Sequence, residues 1–380
     1  MKRQKRNKIL MRSPKLIWNL LARGRYDFTY DLMPIEVRRM SMAKRLNLLK
    51  AGVNLLWRRT TPWNWPFNMQ IELTNFCNLK CPVCPIGAGT LNRRPTAMSL
   101  DLFEQLMDQA GRYLLTAALF AWGEPLLHPQ LAEILRIAAR AGIATRLSTN
   151  GQNLDNEKIT DALLAHPPAY LIVAIDGLSD ETNSAYRVGA KLTPILGGVH
   201  RLAEAKQRNG LKAPVLHMRY LVMKHNQHEL ERVREFARSN RFELLTIRTL
   251  STIDSPCDAH RALIPDDDEY RAFRYSKEGR IHRDDFTCDY PFVFPTVLAD
   301  GTLIACDQDF NAQLPLGVLA KDVSFGDLWF SRQAAEVRRI IRDAPETQSF
   351  CRNCPYADRT ADACSIQRFW LHDCAGKPPA

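Results

Sequence analysis

The segment Cys77-Asn78-Leu79-Lys80-Cys81-Pro82-Val83-Cys84 sets three cysteines at C-x3-C-x2-C spacing. Three thiolates on one short loop can each take one iron of a [4Fe–4S] cluster, which leaves the fourth iron open to a substrate or cofactor. A structural zinc ion is the competing occupant, but zinc usually draws four ligands in two pairs. A second group follows nearer the C-terminus: Cys288, Cys306, Cys351, Cys354, Cys364 and Cys374. Asp300-Gly301, between the first two, is a hairpin-turn signal. Asp307 follows Cys306 directly; it could deprotonate a substrate as its electron leaves, or serve as a turn residue bonded to backbone. Cys257 stands apart, just after the last core strand. Its thiol could return a hydrogen atom to a substrate, or be a small buried hydrophobe.

Ten cysteines in a secreted chain would suggest disulfides. The basic start is followed only by a short apolar stretch, interrupted at Asn19, with no small-residue cleavage site. No run approaches the ~18–20 apolar residues of a spanning helix. The expectation is a cytoplasmic protein whose reduced cysteines bind metal. The 380 residues are 46% hydrophobic, which excludes disorder throughout. The net charge of +11 is unevenly placed. Residues 1–70 hold 16 Lys and Arg against 3 Asp and Glu (+13), and the rest hold 36 against 38 (−2). The body therefore offers no electrostatic case for nucleic acid.

Residues 1–66 read as a basic helical segment. From Pro34 onward, Val37, Met40, Leu46, Leu49, Val53 and Leu56 recur at roughly helical spacing among Arg and Lys. Such a segment packs on the main domain or makes peripheral contact with an anionic membrane. Residues 67–255 alternate strands and helices. Strands are predicted at 69–73, 117–121, 145–149, 170–176, 215–223 and 244–250, and helices at 100–114, 130–141, 156–165, 196–209 and 227–239. Six β-α units predict an α/β fold with a parallel sheet and its active site at the carboxyl ends of the strands. Residues 256–380 form a third, cysteine-rich region.

The motifs at these strand ends resemble those of the radical S-adenosylmethionine (SAM) superfamily. The cysteine loop is similar to its C-x3-C-x-aromatic-C signature, with Val83 in the aromatic place, toward the adenine. Gly123-Glu124-Pro125-Leu126 resembles the motif that receives the SAM amino group, through Glu124 or neighbouring carbonyls. Ser148-Thr149-Asn150-Gly151 resembles the ribose-contacting position. Ala174-Ile175-Asp176-Gly177 ends the fourth strand, with Ala174 where relatives often carry Ser. Arg187 matches an Arg that pairs with the SAM carboxylate. The resemblance covers about residues 68–250 and implies a partial (β/α)6 barrel. It also implies a [4Fe–4S] cluster on Cys77, Cys81 and Cys84, with SAM as cofactor and a reductant such as flavodoxin or ferredoxin. Reductive cleavage of SAM would give a 5′-deoxyadenosyl radical that abstracts hydrogen from the substrate.

The C-terminal cysteines resemble the SPASM domain and its shorter relative, the Twitch domain, which hold auxiliary [4Fe–4S] clusters. Thr360 replaces the middle cysteine of the SPASM pattern. The resemblance thus implies one auxiliary cluster on Cys288, Cys306, Cys351 and Cys354. Cys364 and Cys374 are left as partial ligands or buried thiols. Phe325–Trp329 and a helix from Ser331, packed through Val337, Ile340 and Ile341, resemble the same domain. The expected function is oxidation of a small molecule (a sugar, a metabolite or a lipid-linked substrate) with the auxiliary cluster as electron acceptor. Alternatives are a peptide- or protein-modifying maturase, a redox-neutral epimerase using Cys257, and an electron-transfer protein without radical chemistry.

Overall fold

The computed structural model describes residues 14, 17–251, 260, 262–273, 275–276, 279–280, 287–352, 354 and 364–371. Six parallel strands form its centre: β3 (Asn68–Ile71), β4 (Thr116–Ala118), β5 (Ala144–Thr149), β6 (Tyr170–Ala174), β7 (Val215–Val222) and β8 (Leu244–Thr249). Between them run α2 (Leu100–Ala110), α3 (Leu131–Arg140), α4 (Glu157–Ala165), α5 (Asp180–Tyr186), α6 (Leu192–Asn209) and α7 (Leu230–Ser239). Each predicted strand and helix is present within a few residues of its expected bounds, and α5 is additional. α2 shows why: Ser99 caps it by accepting from Leu102 N–H (3.3 Å). Phe103, Leu106, Met107 and Ala110 then turn one buried face to the sheet.

Alternation along the strands divides two faces. Leu216, Met218, Tyr220 and Val222 of β7 join the core beneath the helices. Arg219 and Leu221 face the lumen of the curved sheet and line its cavity.

The last third of the chain does not build a separate sheet around its cysteines. After the short pair β9 (Tyr275–Ser276) and β10 (Gly279–Arg280), helix α8 (Tyr290–Val293) leads into β11 (Thr296–Val297), which pairs parallel with β3. β12 (Thr302–Ile304) and β13 (Pro315–Val318) continue the sheet antiparallel. The Asp300-Gly301 turn is present: Asp300 Oδ1 accepts from Thr302 N–H (3.0 Å), and Gly301 has φ +88°. Next come α9 (Phe325–Trp329), α10 (Arg332–Asp343) and α11 (Ser349–Arg352). Val337 and Ile341 of α10 are buried and Ile340 is half-buried. β14 (Ser365–Trp370) then pairs antiparallel with β8 at the other end of the sheet. The order is β13-β12-β11-β3-β4-β5-β6-β7-β8-β14, ten strands with both flanks of the parallel centre covered by C-terminal chain.

The N-terminal segment is only partly helical. Residues 26–37 form a hairpin, β1 (Tyr26–Tyr30) and β2 (Met33–Val37), before helix α1 (Met42–Trp57). The alternation of Tyr26, Phe28 and Tyr30, then Met33, Ile35 and Val37, is a period-two pattern. Reading Pro34 as a helix start hides it. Met33 and Ile35 pack against Tyr170, Ile172, Val215 and Leu244 at the amino ends of the barrel strands. Tyr170 Oη donates to Pro34 O (2.5 Å). The hairpin thus stoppers the lumen from below.

Candidate functional site

A cavity of about 520 Å³ opens above that stopper, within the ~300–1,000 Å³ typical of ligand sites. The cysteine loop forms its mouth. Cys77, Cys81 and Cys84 all line it, with Cys81 buried and the other two half-buried. The loop is tied down by Lys80 N–H to Val188 O (3.1 Å) and by Cys84 N–H to Cys81 O (3.2 Å). Burial pushes the Cys81 thiol up to about 11 and the Cys77 thiol upward. These are thiols that ionise readily only against a cation. Among the described residues no group of three His, Cys, Asp or Glu converges as a single metal ion requires. Three thiols spread along one loop suit a cluster that takes one thiolate per iron.

The ends of β4 and β5 stand opposite. Gly123 has φ +154°, and a Cβ there would come within 2.0 Å of Thr74 O, so glycine alone lets these backbones meet. Glu124 is buried and occupied by its own chain. Oε1 accepts from Thr149 Oγ1 (2.7 Å) and Leu126 N–H (3.0 Å), and Oε2 accepts from Asn150 N–H (2.8 Å). Its carboxylate locks two strand ends together. Asn150 in turn donates to Asn78 Oδ1 (2.7 Å) and Cys77 Sγ (3.5 Å), joining β5 to the cysteine loop. Pro125 opens a short 3-10 turn behind Glu124. Val83, Ser148, Ala174 and Arg187 line the cavity. Asp176 is fully buried behind Arg187, its Oδ2 2.6 Å from Nε, while its Oδ1 accepts from Leu221 N–H (2.8 Å). Burial opposes the Arg187 charge, but Asp176 more than compensates and holds it protonated. A cluster and SAM fit this donor set: three thiols, a glycine-lined backbone cradle and a guanidinium facing one cavity.

The other wall comes from the C-terminal third. Asp307 lines the cavity. Its Oδ2 accepts from Gln70 Nε2 (3.3 Å), its Oδ1 from the Cys306 thiol (3.4 Å) and its carbonyl from Trp122 Nε1 (2.6 Å). Behind it the thiols of Cys288, Cys306, Cys351 and Cys354 lie near enough to oppose one another's ionisation. Burial pushes Cys288 and Cys351 up to about 12.

A model of the radical SAM superfamily matches residues 71–237, and a model of an iron-sulfur cluster-binding domain, SPASM, matches residues 288–355. The chain thus carries a radical SAM domain followed by a SPASM domain. It is a radical SAM enzyme with a C-terminal SPASM domain, and SAM and [4Fe–4S] clusters are its cofactors. It is 24% identical over 334 residues to the PqqA peptide cyclase of Ruegeria pomeroyi, covering 83% of this chain and 86% of that protein. A shorter match, 34% over 124 residues, is to an AdoMet-dependent heme synthase of Methanosarcina barkeri; it covers 33% of this chain and 35% of that one. In fold the enzyme is similar to Streptococcus suis SuiB bound to precursor peptide SuiA. There the TM-score is 0.56 at 14% identity, over 84% of this chain and 78% of that one.

The radical SAM domain therefore brings together most residues singled out by its motifs; Glu124 lines the cavity with both oxygens held by its own chain, and Asp176 stands behind Arg187 as a support. Cys364 does not join the thiol quartet. It is buried at the foot of β14, where its carbonyl accepts from Thr249 N–H (3.1 Å), and it lines the cavity from the opposite flank. Cys257, Thr360 and Cys374 lie outside the described residues. Sequence reading missed Tyr30, Gln70, Trp122, Arg219 and Arg248, all of which line the cavity. The two arginines carried a signal: each is a charged residue in the middle of an otherwise buried strand.

Proposed function

We propose that this radical SAM enzyme oxidatively modifies a peptide. The observation that carries this is the match along most of both chains to a peptide cyclase, whereas the match to a heme synthase covers only a third. The expected small-molecule substrate yields to the peptide alternative on that ground. Cys77, Cys81 and Cys84 would hold the cluster that binds SAM, and Cys288, Cys306, Cys351 and Cys354 the auxiliary one. When bound, these groups supply a hydrogen-abstracting radical and an electron acceptor. The chain's own residues then do the positioning. Gly123 would let the backbone approach the amino group of SAM, Glu124 and Asn150 fix the two strand ends, and Arg187, held protonated by Asp176, would pair with the SAM carboxylate. Asp307, which accepts from Gln70 on the auxiliary side of the cavity, would take the proton that leaves the oxidised substrate. The test is anaerobic incubation of the full-length enzyme with SAM, dithionite and a pooled synthetic peptide library. Peptide-dependent 5′-deoxyadenosine and a peptide lighter by two hydrogens are expected. Release unaffected by every peptide but raised by sugar or porphyrin pools would overturn the reading.

We also propose that the enzyme works against an anionic membrane surface. Among the described residues no helix is long and apolar enough to cross a membrane. However, α1 carries apolar residues on both faces: Leu48 and Ala51 are buried beside Asn47 and Asn54, while Met42, Leu46 and Trp57 are exposed on the other. Trp18 and Trp63 are exposed nearby in sequence, within the region that holds the chain's entire positive excess. Apolar and aromatic side chains amid Lys and Arg favour an anionic lipid interface. Flotation of the full-length protein with phosphatidylglycerol-containing vesicles should capture it. Loss of capture in Leu46→Glu/Trp57→Glu is expected; equal binding to purely zwitterionic vesicles would contradict the proposal.

A further inference from the structure

The floor of the cavity is ionic: Arg219 on β7 and Arg248 on β8 both meet Asp31 Oδ2, at 3.1 and 2.8 Å. The wall on the auxiliary side is of another kind. Trp122 and Phe310 line it, and both are half-buried. Their rings meet edge to face, with centroids 5.7 Å apart and planes at 67°. Trp122 stands immediately before Gly123, on the stretch that leaves β4. Its indole N–H donates to Asp307 O (2.6 Å). That bond fixes the ring and satisfies its one polar group, so the indole has only its apolar body left to offer a ligand. Phe310 is fixed from the other side, because its carbonyl accepts from Arg93 Nε (2.7 Å).

Polar side chains on the same loop turn to their own chain. Asp309 is buried, and its two oxygens accept from Gln313 N–H (2.7 Å) and Leu314 N–H (2.9 Å). Asn311 accepts from Asn92 N–H (2.8 Å) and donates to Thr90 O (3.0 Å). Gln313 Oε1 accepts from Ser349 Oγ (3.2 Å). The loop is thus held by its own bonds around two rings that present hydrocarbon to the cavity. Covering them with an apolar group removes that surface from water.

We infer that Trp122 and Phe310 are specificity-determining residues that receive an aromatic side chain of the substrate. A flat ring extends an existing edge-to-face pair with the geometry aromatic groups prefer, whereas a branched aliphatic chain gains only the burial. The inference deepens the proposal of a peptide substrate and rests on it. An aromatic residue seated there lies beside both Gly123, on the SAM side, and Asp307, on the auxiliary side.

Calorimetric titration of the full-length reconstituted enzyme in the presence of SAM tests it. The probes are the blocked tripeptide acetyl-Gly-Phe-Gly-amide, its Leu and Gln counterparts, and p-cresol as a free aromatic. The Phe tripeptide should bind about fivefold tighter than the Leu one, with the Gln one weakest. Phe310→Leu and Trp122→Leu should each bring the Phe and Leu tripeptides to equal affinity, and Trp122→Phe should restore the preference. SAM binding by each variant reports whether its fold is kept, and a Trp122→Leu that loses SAM leaves Phe310→Leu to decide. Leu bound as tightly as Phe by the wild type, a preference unchanged in both Leu variants, or no binding of any probe would overturn the inference. Binding of p-cresol with the same dependence on Phe310, while no tripeptide binds, would keep the aromatic subsite and overturn the peptide reading. A negative peptide assay for SAM cleavage leaves these affinities untouched, so the two failures are separable.

Discussion

At the scale of single residues the site is built from side chains whose bonds point back into the protein. Glu124 holds Thr149, Asn150 and Leu126 rather than reaching outward. Asp176 holds Arg187. Gly123 is needed for its missing Cβ: Gly123→Ala forces a strained φ and a clash with Thr74 O. It should cost about 2 kcal/mol and weaken SAM binding, as read from denaturant midpoints with and without SAM. His217 gives a pH prediction. It is fully buried, and its ring meets Thr246 Oγ1 (2.7 Å). Burial, then Arg219, holds its pKa well below 6.5, so the folded state keeps it neutral. The unfolded chain binds the extra proton as pH falls through 6.5, and stability is lost there at about 1.4 kcal/mol per pH unit. Denaturant titrations from pH 7.5 to about 5.5 should show that slope in the wild type, and His217→Gln should flatten it.

At the scale of elements, the parallel strands and their helices were legible because each alternates or recurs with a clear period and ends at a turn or cap. The hairpin β1–β2 was not: five-residue strands around Pro34 compete with a plausible helix start, and only the open barrel end explains their pairing. β14, a short strand between Cys364 and Cys374, was not legible either, since only its pairing along the β8 edge gives it a role. The lumen arginines were equally hard to place, since their meaning depends on Asp31 arriving from almost two hundred residues away. Beside the β3–β11 pairing, a buried ion pair of the radical SAM domain helps to hold the SPASM hairpin. Arg93 meets both oxygens of Glu72 at 2.8 and 2.7 Å, Glu72 also accepts from Ala299 N–H (3.0 Å), and Arg93 Nε donates to Phe310 O (2.7 Å). Burial raises the Glu72 carboxyl even against this partner. Arg93→Gln strands a buried carboxylate and should lower stability by about 3 kcal/mol. A denaturant curve checks this, and loss of auxiliary iron ahead of global unfolding is expected, because the Asp307 loop is released first.

At the scale of the whole molecule, one sheet carries both sets of thiols and one cavity lies between them. The wall with Cys77, Cys81 and Cys84 faces the wall with Asp307, backed by Cys288, Cys306, Cys351 and Cys354, while the hairpin closes the floor. Hydrogen abstraction at one wall and electron departure at the other would need no movement of the sheet. The motif order along the chain made the class of enzyme readable. The substrate was not readable, because the residues that would recognise it converge from strands, hairpin and C-terminal loop, and share no local pattern.

The most direct measurement is iron and sulfide per chain in the anaerobically reconstituted Cys77/Cys81/Cys84→Ala variant, beside the Cys288/Cys306/Cys351/Cys354→Ala variant and the wild type. Two independent four-iron sites predict about eight irons in the wild type and about four in each variant. Near zero in the first variant, or an undiminished count in the second, would contradict a cluster on each wall of the cavity.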